Sequence, residues 1–273
     1  MIGIQLDGDG YSLVGKRSPG RWRPFRQSGS GSFHCEVGVS ESDLPAVSKC
    51  LLSLIGPENK ASLCLGPGLV KRFEFTVPAE FSAINVYTWV EQNLESWMGE
   101  APADCYFDYV PATKDNRTDF VLYSAERSSV DQCLMPLRNA HLSITRLEVA
   151  EQTLPRLFSD LVWRDIMLAD IGARDTHIYT ISAGCCQWLG AIRSPLPNRP
   201  EHEAVEIFQA GLQRLIVSHN RSPATLVLAG VVAVATALSH WLQPMLPGTD
   251  IRLVQEVSGI PGEALLATSA VLG

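Results

Sequence analysis

The sequence predicts an α/β protein built from two related lobes, and three observations carry that prediction. Residues 166–192 divide into three short apolar segments separated by turns, the pattern of a three-stranded meander. Residues 2–39 repeat this pattern less clearly. Each meander precedes a stretch with helical periodicity, at 43–55 and at 201–219. Two meander-plus-helix units in one chain indicate a duplicated lobe with a cleft between the copies.

The second meander is the clearer copy. Its strands are predicted at Ile166–Ile171, Thr176–Ser182 and Cys185–Ile192. Gly172 ends the first strand because glycine can take the backbone angles that a tight turn needs. This turn directs backbone N–H groups and the Asp170 carboxylate at the same place, an arrangement that suits phosphate and a metal ion.

The remaining elements follow from periodicity and from helix and turn signals. In the first meander, strands are predicted at 2–7 and 11–16 and somewhere between 22 and 39, with a capped helix at 43–55. A middle α+β unit has strands at 70–77, 105–110, 120–124 and 142–149 and helices at 81–98 and 129–139. After the second meander come a helix at 201–219, a strand at 225–229, a helix at 232–242 and a strand at 251–254.

The order of these motifs resembles that of actin-like nucleotide-binding proteins, and more closely the PilM-type proteins of type IV pilus assembly, including short enterobacterial and competence relatives. Asp170-Ile-Gly-Ala173 followed by Thr176 matches the second phosphate loop of the family, D-I-G-A-x-x-T. Val227-Leu-Ala-Gly230 matches its adenosine loop, V-L-A-G-G, as far as the first glycine. Residues 119–127 and 147–151 are similar to its central segment. The resemblance implies a vestigial nucleotide site at Asp170, Gly172, Ala173, Thr176 and Gly230.

The resemblance also implies an actin-like (duplicated ribonuclease H-like) fold with a small α+β insertion subdomain. The first lobe would span 1–69, the insertion and a return to the first lobe 70–150, and the second lobe 151–273. The second lobe is shortened near 193–200, where a Pro-rich loop replaces a further subdomain of the family. In the family, the insertion helps to form a groove for a short cytoplasmic peptide of the membrane-anchored partner PilN.

Two loops depart from the family pattern. Family members open with G-I-D-I-G-S-x-x-V-K, whereas here Gln5 replaces the acid, Asp7 the glycine and Ser12 the basic residue. An amide lacks the charge that a metal–phosphate pair needs, and Asp7 would repel phosphate at close range. Val231 replaces the second glycine of the adenosine loop. We therefore expect weak binding of ATP and Mg²⁺ or none, no hydrolysis, and no cofactor.

These features predict a non-enzymatic scaffold of a type IV pilus or DNA-uptake platform. It would lie in the cytoplasm, peripheral to the inner membrane, bind the N-terminal tail of a PilN-like inner-membrane protein, and allow self-association. The alternative is an active actin-like ATPase or a sugar or nucleotide phosphotransferase, in which Asp7 or Asp9 would substitute for the missing acid by a register shift. Stabilisation by Mg·ATP would discriminate between the two.

Charge and residue composition argue against several classes of function. A net charge of −7 argues against direct nucleic-acid binding, although basic residues at 16–26 could contact anionic lipid or nucleic acid, or form a solvated hairpin. Seven cysteines without a C-x-x-C pair, and an N-terminus without a signal-peptide pattern, favour a reduced cytosolic protein. The six histidines show no metal-ligand spacing. His177 could face the cleft, but a packed or solvent-facing position is favoured.

Residues 223–249 contain no charged side chain and are long enough to cross a bilayer. Gly230 interrupts this stretch and Pro244 closes it. A buried strand followed by an amphipathic helix is therefore the favoured interpretation.

Overall fold

The computed structural model describes residues 2–7, 10–18, 21–24, 34–36, 60–78, 86–112, 118–158, 165–172, 174–219, 223–230 and 232–258. The helix predicted at 43–55 lies outside these ranges, as do Asp9, Ala173 and Val231.

The described strands, in chain order, are β1 (Ile2–Asp7), β2 (Gly10–Ser18), β3 (Arg21–Pro24), β4 (His34–Glu36), β5 (Lys60–Leu65), β6 (Lys71–Thr76), β7 (Cys105–Pro111), β8 (Asp119–Glu126), β9 (Ser143–Val149), β10 (Ile166–Ile171), β11 (Thr176–Ser182), β12 (Cys185–Ile192), β13 (Thr225–Gly230) and β14 (Asp250–Leu253). The described α-helices are α1 (Val86–Met98), α2 (Arg127–Asn139), α3 (Ala150–Leu157), α4 (Glu201–His219), α5 (Val232–Met245) and α6 (Val254–Ser258). Short 3₁₀ turns occupy Pro102–Asp104 and Leu196–Asn198.

Two of the sheets repeat one topology. The first sheet has the order β3-β2-β1-β5-β9, with β4 also paired to β2, and the second has the order β12-β11-β10-β13-β14. In the first sheet, β1 pairs antiparallel with β2 and parallel with β5. In the second sheet, β10 likewise pairs antiparallel with β11 and parallel with β13. A further parallel strand completes each sheet. The internal duplication predicted from the sequence is therefore confirmed.

Each of these sheets carries its own helices. Apolar residues of α2 pack on the first sheet beside Ile4 and Leu63, and together they form the first lobe. Helices α4 and α5 pack on one face of the second sheet and form the core of the second lobe with it, around Phe208 and Leu238. The lobes thus follow the rule that the apolar face of a sheet is covered by helices.

A third, antiparallel sheet, β6-β8-β7, lies between the lobes in sequence and carries α1. We call this unit the insertion. Its α1-facing side is rich in aromatic rings: Phe75 stacks on Trp97 with centroids 5.1 Å apart and on Phe120 at 5.5 Å. Because side chains alternate along a strand, Arg72 and Tyr123 lie on the opposite face, directly across from each other on β6 and β8.

Helix α3 joins the lobes. Leu154 and Phe158 are buried in a core that includes Leu168 and Tyr179 of the second sheet and Cys64 of β5. The Cys64 Sγ atom also lies 3.4 Å from the Thr153 hydroxyl oxygen (Oγ1). Residues from both sheets therefore share one hydrophobic core where the lobes meet, which we call the junction core.

The strands of the second meander begin and end at the predicted residues. Residues 225–230 form β13 and residues 232–245 form α5, as predicted for a buried strand and an amphipathic helix. Among the helices of the described segments, none has the length and apolarity needed to span a bilayer. On β12, Cys185 is exposed whereas Cys186 packs into the core between the lobes, as expected where side chains alternate along a strand.

Three local predictions are wrong or incomplete. The predicted middle unit includes 129–139 and 142–149, but α2 packs on the first sheet and β9 is a strand of that sheet. Val254 was assigned to the last strand, but it begins α6. Helix α3 was not predicted, because its N-cap Val149 has no capping side chain and Pro155 lies inside it. Tertiary packing of Leu154 at the lobe junction stabilises this helix in the absence of local signals.

Candidate functional site

The residues predicted to form a vestigial nucleotide site lie at the ends of neighbouring strands of the second sheet. Asp170 of β10 stands in register with Ala229 of β13 and with His177 of β11. Four of the five predicted residues lie at these strand ends: Asp170, Gly172, Thr176 and Gly230. The fifth, Ala173, lies outside the described residues.

Both glycines are required by backbone contacts. The Gly172 N–H donates a hydrogen bond to the carbonyl oxygen of Asp175 at 3.0 Å, and a Cβ at position 172 would lie 2.8 Å from that oxygen. Gly230 has φ +92°, and a Cβ there would lie only 2.0 Å from the carbonyl oxygen of Ile171. The turn and the close approach of β10 to β13 therefore account for these glycines without a ligand.

Asp170 and Thr176 lie on opposite faces of the second sheet. Leu168, two residues before Asp170, belongs to the junction core, so Asp170 is on the side of the first lobe. Ile178, two residues after Thr176, belongs to the core under α4 and α5. The Thr176 side chain is fully buried, and its hydroxyl has no hydrogen-bond partner within the described part of the chain. The two side chains are thus directed away from one another.

The space beside Gly230 is small. A cavity of about 10 Å³ lies there, between the end of β13, α5 and the start of α6. Such a volume is about that of one water molecule.

His177 lies on the face of β11 that is turned toward the first lobe. It is partly buried, and its ring centroid is 6.5 Å from that of Trp188 on β12. Burial lowers the pKa of His177 below its ordinary value, and the nearby Asp175 charge offsets only part of this effect. A neutral, packed histidine is thus the form favoured at neutral pH. Across the described segments, no cluster of three potential metal-binding side chains is found.

A much larger pocket, of about 300 Å³, lies where the first lobe, the insertion, α3 and the second lobe meet. Most of its wall is apolar or aromatic. The residues that line it are Leu65, Pro67, Val70, Lys71, Arg72, Tyr123, Val149, Ala150, Glu151, Tyr179 and Trp188. Its size and its apolar wall with a few polar groups are those of a ligand- or peptide-binding site. We call it the junction pocket.

Glu151, in the first turn of α3, connects this helix with the insertion and the second lobe. Its carboxylate is almost fully buried and accepts a hydrogen bond from the backbone N–H of Trp188 in the second lobe. Its other oxygen lies 3.4 Å from Nε of Arg72 in the insertion. Burial raises the pKa of the Tyr123 phenol well above its ordinary value, and the charge of Glu151 and a hydrogen bond to it add to this effect. Tyr123 therefore stays protonated and can donate to Glu151.

The cations of the junction pocket are already paired. Lys71 Nζ lies 2.5 Å from a carboxylate oxygen of Glu100, and Arg72 Nη2 donates to Glu74 at 2.7 Å. With Glu151, two cations face three carboxylates. The pocket therefore offers no uncompensated positive charge to an anionic group such as phosphate.

The sequence predicts a groove between the first lobe and the insertion but does not identify the residues that line the junction pocket. The alternation of apolar and polar residues at 70–77 predicts a strand with one polar face, and Arg72 lies on that face. Glu151 was part of the central segment, but nothing local distinguishes it from a solvated acid. Its burial depends on three segments that are distant in sequence.

Solved structures with a similar fold include the following three. A chain of a PilM–PilN type IV pilus biogenesis complex shares 16% identity over 99% of this chain and 97% of that chain, with a TM-score of 0.68. A Bacteroides thetaiotaomicron protein with an actin-like ATPase fold and unknown function shares 13% identity over 99% and 94%, with a TM-score of 0.58. The cytoplasmic domain of EpsL, an inner-membrane component of the type II secretion system of Vibrio cholerae, shares 10% identity over 99% and 94%, with a TM-score of 0.56.

The sequence matches no protein-family model and no curated protein. At these low identities, the structural similarity establishes the fold. The chain has the actin-like fold with a small α+β insertion, as predicted, and the resemblance to PilM-type proteins is confirmed as a shared fold over nearly its whole length.

Proposed function

We propose that this protein is a non-enzymatic scaffold of a type IV pilus or DNA-uptake platform. It lies on the cytoplasmic face of the inner membrane and binds the N-terminal cytoplasmic tail of a PilN-like membrane protein. One observation carries the proposal: a large apolar pocket lies in the groove between the first lobe and the insertion, in a chain that shares its fold with a component of a PilM–PilN complex.

The chemistry of the junction pocket suits a peptide better than a nucleotide. Its wall combines aliphatic side chains with the rings of Tyr123, Tyr179 and Trp188, and its charged groups are paired. The insertion also presents β6 as the outer strand of its sheet beside the pocket. An extended tail can pair with β6 through its main chain and place an apolar side chain in the pocket.

The positions of the predicted nucleotide-site residues at the strand ends of the second sheet support the proposal that the protein is not an enzyme. Thr176 is directed away from Asp170, and the cavity that β13, α5 and α6 enclose beside Gly230 has a volume of about 10 Å³. Gln5 and Asp7 stand where the family has an acid and a glycine in the first phosphate loop. An actin-like ATPase or phosphotransferase needs an acid for its metal ion in the first phosphate loop, and the neutral Gln5 does not supply one.

Retention by an immobilised tail peptide tests the proposal directly. The probe is a synthetic peptide with the N-terminal cytoplasmic sequence of the PilN-like protein of the same organism. We expect the folded protein to bind it without nucleotide, with a dissociation constant on the order of 1–10 μM. A scrambled peptide of the same composition is the control. Equal retention by both peptides, or by neither, would contradict the proposal.

Thermal denaturation with Mg·ATP tests the absence of a nucleotide site. A ligand present at 100 times its dissociation constant stabilises a folded protein by about 2.7 kcal/mol, which would raise Tm by roughly 5 °C or more for a chain of this size. We expect a change below about 1 °C at millimolar Mg·ATP. A rise of several degrees would instead favour the ATPase or phosphotransferase alternative.

A further inference from the structure

Arg72 makes one hydrogen bond and one longer ion pair with carboxylates. Nε lies 3.4 Å from Glu151, and Nη2 donates to Glu74 at 2.7 Å. Nε is buried and makes no hydrogen bond within the described ranges, whereas the third nitrogen, Nη1, has no partner there and is not fully buried. The side chain is 22% exposed and forms part of the junction-pocket wall. The structure thus contains a guanidinium fixed in orientation, with an unused pair of donors.

The charges around Arg72 restrict what Nη1 can bind. Glu74, Glu151 and Glu100 together exceed Arg72 and Lys71 by one negative charge. A carboxylate or phosphate brought to Nη1 would lose its hydration and meet a net negative surrounding. A neutral oxygen acceptor would gain a hydrogen bond to a charged donor at a smaller desolvation cost.

We infer that Arg72 determines the specificity of the junction pocket by donating from Nη1 to a neutral main-chain carbonyl oxygen of the bound tail, next to an apolar side chain that fills the pocket. The inference rests on the proposed function, since the tail is the ligand. The carbonyl of an extended peptide lies beside its own side chain, so one residue of the tail can satisfy Arg72 and occupy the apolar space. Recognition of this kind selects an uncharged, apolar residue and is insensitive to salt.

Arg72→Lys tests the role of the guanidinium group, because lysine keeps the positive charge beside Glu151 but lacks the planar arrangement of N–H donors. We expect the dissociation constant for the tail peptide to rise about five- to twentyfold. Arg252→Lys is the matched control, since Arg252 is an exposed arginine on β14 that also pairs with a carboxylate, Asp250, away from the pocket. We expect it to leave binding unchanged.

Peptides with single amide-to-ester replacements locate the carbonyl, because an ester carbonyl is a weaker acceptor. With the wild-type protein, one replacement near the apolar anchor should weaken binding. With Arg72→Lys, the same replacement should have little further effect, because paired groups show such non-additivity. A merely structural role for Arg72 would leave the two effects additive and would overturn the inference.

A salt series with the unaltered protein provides a test that does not depend on the folding of a variant. Binding through a neutral carbonyl should change less than twofold between 50 and 500 mM NaCl, whereas an ion pair with Arg72 would weaken severalfold. Strong salt dependence would overturn the inference while leaving tail binding intact. If the wild-type protein does not bind the tail at all, the proposed function itself fails, and the two failures are distinguishable.

Discussion

Val70→Trp is expected to abolish retention of the protein by the tail peptide, with a loss of affinity of about 100-fold or more. Val70 precedes β6, is partly buried and lines the junction pocket. An indole at this position would occupy the apolar space that the anchor residue of the tail needs. A 100-fold loss corresponds to about 2.7 kcal/mol, which is comparable to the burial of one large apolar side chain. Titration of a labelled tail peptide by fluorescence anisotropy measures the effect.

Val217→Trp is the matched control for this substitution. Val217 lies on α4 in the second lobe and is 73% exposed, so an indole there contacts mainly solvent. We expect unchanged tail binding and an unchanged unfolding midpoint. Full affinity of the Val70→Trp protein would show that the tail binds elsewhere, whereas equal loss in both variants would indicate a non-specific effect of an added tryptophan.

The repeated topology could be predicted because its signals are local. Alternating β-branched residues, glycine turns and helical periodicity each act within a few residues, and they define the second meander at Ile166–Ile192. Recurrence of the same pattern near the N-terminus is then enough to predict a second copy of the lobe. Helix α3 lacks such signals, since Val149 provides no capping side chain and Pro155 interrupts the hydrogen-bond pattern.

The junction pocket could be anticipated as a groove but not as a set of residues. Arg72 and Tyr123 are 51 positions apart and become neighbours only through the register of β6 and β8. Glu151 then reaches Arg72 from α3 and the Trp188 amide from the second lobe. Burying a carboxylate is unfavourable unless all of these partners are present. The pocket is therefore a property of long-range packing, which no local pattern in the sequence specifies.

The predicted nucleotide residues show how a motif can persist for structural reasons. Asp170-Ile-Gly172 was identified because it matches a phosphate loop, yet the Gly172 amide donates to the carbonyl oxygen of Asp175 within the same turn. Gly230 matches an adenosine loop, yet the backbone of Ile171 occupies the place of its side chain. Both glycines would be needed for the fold whether or not a nucleotide binds.

Gly230→Ala is expected to destabilise the protein by about 4 kcal/mol or more, enough to prevent folding of a marginally stable chain. Two effects add. Alanine at φ +92° is strained by about 1–2 kcal/mol, and its Cβ would lie 2.0 Å from the carbonyl oxygen of Ile171. Relief of this contact requires β10 and β13 to separate, which disturbs the parallel pairing at the centre of the second sheet. Urea denaturation followed by circular dichroism measures the loss.

Gly248→Ala separates the two effects, because Gly248 has φ +91° but no atom lies within 4 Å of an added Cβ. It should show only the backbone strain, about 1–2 kcal/mol. The difference between the two variants then measures how tightly β10 and β13 approach each other at the strand ends. Equal losses would show that this approach is loose, and the argument that Gly230 serves the fold rather than a nucleotide would fail. A large difference, together with a Tm that does not respond to Mg·ATP, would show that the glycine is retained for strand packing in a protein without a nucleotide site.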